Sequence, residues 1–233
     1  MSDFWQLHGF DWMTGLSERE TERLLTRITP QEFARGALVF GPASTPRSVY
    51  LLEKGVVRMY RLSNEGAEAT LGYVRAGEVF GELQAISERA RESFAQAVRP
   101  SLVWRIPIPD LRHLIETIPH VALHITEQVE RRFTRMERRV EDLSLRDLRS
   151  RICIILLELA EDFGREVGSE LLIDLPLSQH DLATLVGASR QSVNACLRDL
   201  SAARRIAYRK RRIALLDPAE LRREAERTAG AAR

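Results

Sequence analysis

The stretch LSQHDLATLVGASRQSVNACLRDL, Leu177 to Leu200, admits few folds. Ser178 stands where an N-cap belongs, and Asp181 follows where a carboxylate favours a helix N-terminus. Leu182, Leu185 and Val186 then share an apolar face, and Gly187 is the residue type that ends a helix in a left-handed turn. Ser189 is a second N-cap, and Val193, Leu197 and Leu200 form the next apolar face. Two short helices joined around Gly187 make a helix-turn-helix. Ala183 is small where the two helices come close, and Val193 is apolar where the second helix turns inward.

The residues left pointing outward on the second helix are Arg190, Gln191, Asn194 and Arg198. Arginine pairs bidentately with guanine in the major groove, and glutamine or asparagine with adenine. Their place near the N-terminus of the helix is where a recognition helix meets base edges. Arg190, Gln191 and Asn194 are therefore the candidates for reading bases. Residues 190–212 hold eight basic side chains and one acid, a local excess of +7 in a chain whose total is +2. That is where the phosphates of double-stranded DNA would require it. RIAYRKRRIALLD reads as a hairpin with a basic tip, a wing. Ser178, Ser189, Arg198, Arg209, Lys210, Arg211 and Arg212 are the candidates for phosphate contacts. The competing reading is a solvated helical pair with a charge run.

Upstream the text differs. Residues 17–29 read as a short amphipathic helix, opened by Ser17 and stopped before Pro30. From about 33 to 107, glycine and proline turns alternate with short runs such as SVYLLEKGVVRMYRL and SLVWRI, the pattern of an antiparallel barrel or sandwich. After Pro119 the period switches. Val129, Phe133, Met136, Val140 and Leu143 are spaced 4, 3, 4, 3, the alternation of a coiled-coil seam, within heavily charged text. A helix with one narrow apolar stripe pairs with another helix, and the simplest partner is its own copy in a homodimer. The competing reading packs the stripe on the chain's own barrel. A further helix over about 146–163, strands around ELLIDL and a domain boundary near 145 complete the pass.

Several classes are excluded. No apolar run approaches the roughly 18 residues that cross a bilayer. The N-terminus has no basic region ahead of an apolar one, so no signal peptide is expected. Cys153 and Cys196 lie in helical patterns and read as reduced packing residues, which points to the cytoplasm. No histidine occurs between His8 and His113, so the barrel has no imidazole ligand for a metal. His113, His120 and His124 read as surface or satisfied side chains. No nucleophile-and-base constellation is visible, and neither an enzyme nor a metal site is expected.

With these residues in view, the chain resembles the CRP/FNR family of bacterial transcription regulators over nearly its full length. GEVFGELQAI is similar to the family's cyclic-nucleotide-binding cassette, PHVALHITEQVERRFTRMERRVEDL to its dimerisation helix, and the opening stretch to its helix-turn-helix. The resemblance implies an α+β chain. An N-terminal antiparallel β-roll (a double-stranded β-helix) would span 1–118, a long dimerisation helix 119–145 and a C-terminal winged helix-turn-helix 146–233. It also implies a homodimer on a palindromic operator, with contacts to RNA polymerase. Arg190 matches the family's guanine-reading arginine. Gln191 stands where the best-known members have glutamate, and Ala195 where an arginine is common.

Control is where the sequence departs most. Gly81, Glu82 and Leu83 match the cassette's Gly-Glu-Leu, whose glutamate takes a ribose hydroxyl in cAMP-binding members. A turn carboxylate capping local amides is the competing reading of Glu82. Aligning Ser93 with the family's phosphate-binding serine puts Glu92 where an arginine belongs, and a carboxylate facing a phosphate is repulsive. Arg91 reaches in if the loop differs by one residue. On the dimer helix, Met136 and Glu137 stand where a Thr-Ser pair contacts adenine. Gly81, Glu82, Leu83, Arg91, Ser93, Met136 and Glu137 are thus the candidate effector pocket. Two readings stay open: another ligand, such as a cyclic (di)nucleotide, or DNA competence without an effector. The departures favour the second, and ordinary cAMP control is not expected.

Overall fold

The computed structural model describes residues 17–42, 47–82 and 90–226. Helix α1 (Glu18–Leu25) opens on a capping box, in which Ser17 accepts from the Glu20 amide and the Glu20 carboxylate accepts from Ser17. It is shorter than the sequence pattern predicts. Thr26 closes it, and Thr29–Phe33 is strand β1, paired antiparallel with β8 (Ser101–Pro107) from Thr29↔Arg105 to Phe33↔Ser101. Pro30 fits there because β1 is the edge of its sheet, where a missing N–H costs no ladder bond.

The remaining strands of the first half are β2 (Leu38–Phe40), β3 (Ser48–Lys54), β4 (Val57–Leu62), β5 (Glu68–Val74), β6 (Val79–Phe80) and β7 (Phe94–Ala97). They form two four-stranded sheets, ordered β1-β8-β3-β6 and β2-β7-β4-β5. The pairings of β8 with β1 and β3, of β3 with β6, and of β7 with β2 and β4 are antiparallel. Alternation along β3 and β8 makes two cores. Val49, Leu51, Trp104 and Ile106 face one side and pack with Leu24, Leu111, Leu114, Ile118, Val121 and Ile125 of the flanking helices. Leu52 and Val103 face the other side and pack with Phe40, Val57, Val74, Phe80 and Ala95 between the sheets. Period-2 patterning is what puts neighbouring side chains on opposite faces. Trp104 donates its indole N–H to buried Glu53 at 2.6 Å.

Helix α2 (Ile108–Thr117) leads into α3 (Pro119–Leu145), 27 residues long. Then come α4 (Leu148–Phe163), β9 (Gly164–Val167), β10 (Glu170–Ile173), α5 (Gln179–Val186), α6 (Arg190–Ala202), β11 (Ile206–Arg209), β12 (Arg212–Leu215) and α7 (Pro218–Ala225). The last four strands make a third antiparallel sheet, β11-β12-β10-β9. The chain packs as two compact units. One comprises residues up to 67 with 71–134, the other 68–70 with 135 onward. In the second, α4 supplies Ile152, Cys153, Ile155 and Leu156 to a core shared with α5, α6 and the sheet. Arg135 holds both Asp162 oxygens, at 2.5 and 2.9 Å, and fixes the C-terminal half of α3 to α4. Among the described residues no helix is long and apolar enough to cross a membrane.

Candidate functional site

The helix-turn-helix is built from local chemistry. Ser178 accepts from the Asp181 amide at 3.1 Å, and Asp181 accepts back from the Ser178 amide at 2.7 Å. Gly187 closes α5 in the left-handed region, φ 66° and ψ 48°. Ser189 then caps α6, accepting from the Ser192 amide at 3.1 Å. Leu182, Ala183, Leu185, Val186, Val193, Leu197 and Leu200 are all buried. The remaining face of α6 is left to solvent.

On that face Arg190, Gln191 and Arg198 are exposed. Asn194 is half-buried, and its Oδ1 accepts from Gln179 Nε2 at 2.8 Å. Nothing in the sequence pointed to Gln179, which lies on the other helix. The wing is a hairpin in which Arg209 pairs with Arg212 across a two-residue turn, with Lys210 at φ 59°. Its basic residues differ in availability. Arg209 is paired with Glu170, and Arg212 with Asp174 at 3.0 Å. Arg190, Arg198, Lys210 and Arg211 form no ion pair among the described residues. Tyr208, on the same hairpin, has its phenol pKa raised by burial.

In the first unit, the segment after residue 89 turns Arg91 inward and Glu92 outward. Arg91 is 3% exposed, while Glu92 faces solvent and pairs with Arg61. The Arg91 guanidinium lies 3.8 Å above the ring of Phe40 and donates from Nη2 to the Ser48 carbonyl at 2.7 Å. Phe40, Tyr50 and Phe80 stack on one another beside it, with centroids 5.5–6.0 Å apart. Nη1 is buried and has no hydrogen-bond partner among the described residues. Burial pushes the Arg91 pKa down, partly offset by Tyr50 and Glu82. Gly81, at φ 77°, leaves the space above it: a Cβ there would lie 2.4 Å from Nη1. Ser93 and Glu82 are buried as well. Glu82 accepts from Arg132 at 3.1 Å, and Arg132 also donates to the Val79 carbonyl at 2.7 Å. Leu83 lies outside the described residues.

On α3, Phe133, Met136, Val140 and Leu143 are 50–66% exposed. Val129 instead leans on the helix-side core of the first unit. Glu137 is exposed on the same helix.

Residues 30–118 match the cyclic nucleotide-binding domain family, and residues 150–224 the Crp-like helix-turn-helix domain family. The global nitrogen regulator of Synechococcus elongatus is 32% identical over 82% of this chain and 87% of its own. The chain belongs to the CRP/FNR family. A CRP-like cAMP-activated global transcriptional regulator of Mycobacterium tuberculosis is 29% identical over 80% of this chain and 84% of its own. A solved CRP/FNR-family transcriptional regulator of Thermus thermophilus superposes with a TM-score of 0.70 at 26% identity, covering 86% of this chain and 100% of that one. This CRP/FNR protein is thus a transcription regulator, with a cyclic-nucleotide-binding-type roll and a DNA-binding helix-turn-helix.

Proposed function

We propose that this regulator acts as a homodimer on a palindromic operator, reading bases with Arg190, Gln191 and Asn194 and anchoring on phosphates through Ser178, Ser189, Arg198 and the wing. The observation that carries the reading is the pairing state of the basic residues. On a surface where Arg209 and Arg212 have acidic partners, the groove-facing Arg190 and Arg198 and the wing-tip Lys210 and Arg211 have none among the described residues. The uncovered stripe Phe133, Met136, Val140 and Leu143 supports the dimer, because a second copy of α3 would bury it. The protein works by binding, without catalysis, in the cytoplasm and alongside RNA polymerase.

Control by cAMP in the ordinary way is not part of this reading. One Glu82 oxygen is already taken by Arg132, and Met136 and Glu137 offer a thioether and a carboxylate where adenine-contacting members have hydroxyls. A second reading, DNA binding switched by a cyclic (di)nucleotide, is favoured by one observation. Arg91 is buried with an unused N–H, Ser93 two residues on is buried as well, and these residue types fit a phosphate.

The deciding experiment is selection of randomised duplex DNA by purified, ligand-stripped protein at fixed near-physiological salt. A two-fold symmetric motif, with half-sites about one helical turn apart, is expected without any ligand. A motif that emerges only with cAMP, cGMP or cyclic di-GMP would establish the second reading instead. Absence of a motif under every condition would overturn the assignment of α6 as the recognition helix.

A further inference from the structure

The contact between Gln179 and Asn194 joins the two helices of the helix-turn-helix across their outer face. Gln179 is the first residue of α5, and its side chain takes no part in the N-cap, which Ser178 and Asp181 complete between themselves. Its Nε2 donates to Asn194 Oδ1 at 2.8 Å, and both side chains are half-buried, where water competes poorly for the bond. Asn194 sits one turn beyond Arg190 and Gln191, at the flank of the buried stripe of Val193 and Leu197, where it is half-buried. No other hydrogen bond engages its amide among the described residues, so the Nδ2 amino group is the end left open.

An asparagine amide carries one acceptor end and one donor end, and which end meets a base decides what it selects. Untethered, it turns either way and can grip adenine with both ends. With the oxygen drawn back toward α5, the donor end leads. In the major groove guanine offers O6 and thymine O4 as acceptors, whereas adenine and cytosine present amino donors at the corresponding positions; N7, an acceptor on both purines, does not separate guanine from adenine. We infer that Gln179 is a positioning residue for DNA specificity. By holding the Asn194 oxygen it makes Asn194 a donor that selects a keto base, guanine or thymine, over an amino base. The inference rests on α6 entering the major groove, as proposed above.

Replacement of Gln179 by glutamate tests it directly, since glutamate is nearly isosteric but can only accept. It would draw the Asn194 amino end toward α5 and turn the oxygen toward the groove. The measurement is binding of full-length protein to duplex variants carrying each of the four bases at every half-site position, for wild type, Gln179→Glu, Gln179→Ala and Asn194→Ala. Wild type is expected to favour a keto base at one position by about three- to tenfold, the range of one hydrogen bond. Asn194→Ala should flatten that position and no other. Gln179→Glu should invert it toward adenine or cytosine, and Gln179→Ala should weaken the keto preference. The added charge of glutamate repels all duplexes alike, so the ratio between bases is the readout.

A wild-type preference for an amino base at the Asn194-dependent position would overturn the orientation. A preference untouched by both Gln179 variants would overturn the role of Gln179, while leaving the DNA-reading assignment standing. Failure of the wild type to discriminate at any position would bring down the underlying assignment, a result distinguishable from the other two.

Discussion

Arg132 of α3 donates to the carboxylate of Glu82 at 3.1 Å, while its second amino group holds the Val79 carbonyl at 2.7 Å. One side chain of the long helix thereby satisfies both a buried acid and the end of strand β6. Gln128, one turn earlier, accepts from the Val79 amide at 2.9 Å and completes the attachment. Removing one partner of a buried ion pair costs about 3–5 kcal/mol. Arg132 keeps 33% of its side chain in water. For Arg132→Ala we therefore expect a loss of about 2 kcal/mol in denaturant unfolding. Adding Glu82→Gln should restore part of it, because the acid left unpaired is then neutral. Strictly additive losses in that double-mutant cycle would show that the two groups do not interact.

Gly81 and Gly36 both adopt left-handed backbone, at φ 77° and 87°, but only Gly81 of the two has a neighbour in the way. An alanine Cβ at Gly81 would meet the Arg91 guanidinium at 2.4 Å, and that group is pinned by Phe40 and the Ser48 carbonyl. Gly36→Ala should cost about 1 kcal/mol, the conformational term alone. Gly81→Ala should exceed it by at least about 1 kcal/mol, the order of one lost internal hydrogen bond. Equal losses in chemical denaturation would mean that Arg91 is not held where it lies.

On DNA, Arg190→Ala should cost about 1–3 kcal/mol and relax selection at one base position. Arg211→Ala should weaken binding to every sequence and reduce the salt slope by about one unit. The pairing of Arg209 with Glu170 adds a reverse effect: Glu170→Gln should strengthen binding to all duplexes by freeing that guanidinium. Salt titrations over a panel of duplexes separate these outcomes. Identical profiles for Arg190→Ala and Arg211→Ala would remove the distinction between reader and anchor.

Phe133 and Val140 are 60% and 66% exposed on the single chain, so Phe133→Glu and Val140→Glu should leave its fold intact by circular dichroism, with only the stability that association supplies being lost. In sedimentation the same variants should become monomeric and lose operator affinity. A variant that stays dimeric would place the dimer contact elsewhere.

The thiols of Cys153 and Cys196 are pushed up to about 12 and about 11 from 9.0, in both cases mainly by burial. A folded-state pKa raised in this way contributes stability that is complete below the unfolded value and is lost as pH rises toward the folded one. Stability should therefore fall between about pH 9 and pH 12. The Cys153→Ala, Cys196→Ala double variant should show a shallower decline in alkaline denaturation. An unchanged slope would mean that other groups control it.

The parts legible in sequence are those whose determinants lie within a few residues. Ser178, Gly187 and Ser189 mark two helices by their own backbone preferences, and the 4-3 spacing of Phe133, Met136, Val140 and Leu143 marks a stripe that the fold leaves uncovered. The pattern of α1 is helical as far as residue 29. The helix nevertheless ends at Leu25 because β8, more than sixty residues away, recruits Thr29–Phe33 as a strand. The Gln179–Asn194 and Glu82–Arg132 bonds had no local signal, since each joins residues that only tertiary packing brings together. Alignment on Ser93 puts Glu92 at the arginine position of the pocket. The backbone instead presents its neighbour, which residue types alone do not determine.

The placement of that neighbour bears on how such rolls diverge. Arg91 and Glu92 leave the chain on opposite sides, so a slip of one residue exchanges a buried cation for a buried anion without altering a single side chain. Insertion or deletion in the short segment before residue 90 is then a more abrupt change than substitution. It would reverse the sign of charge that the interior accepts, while the strands on either side keep their partners.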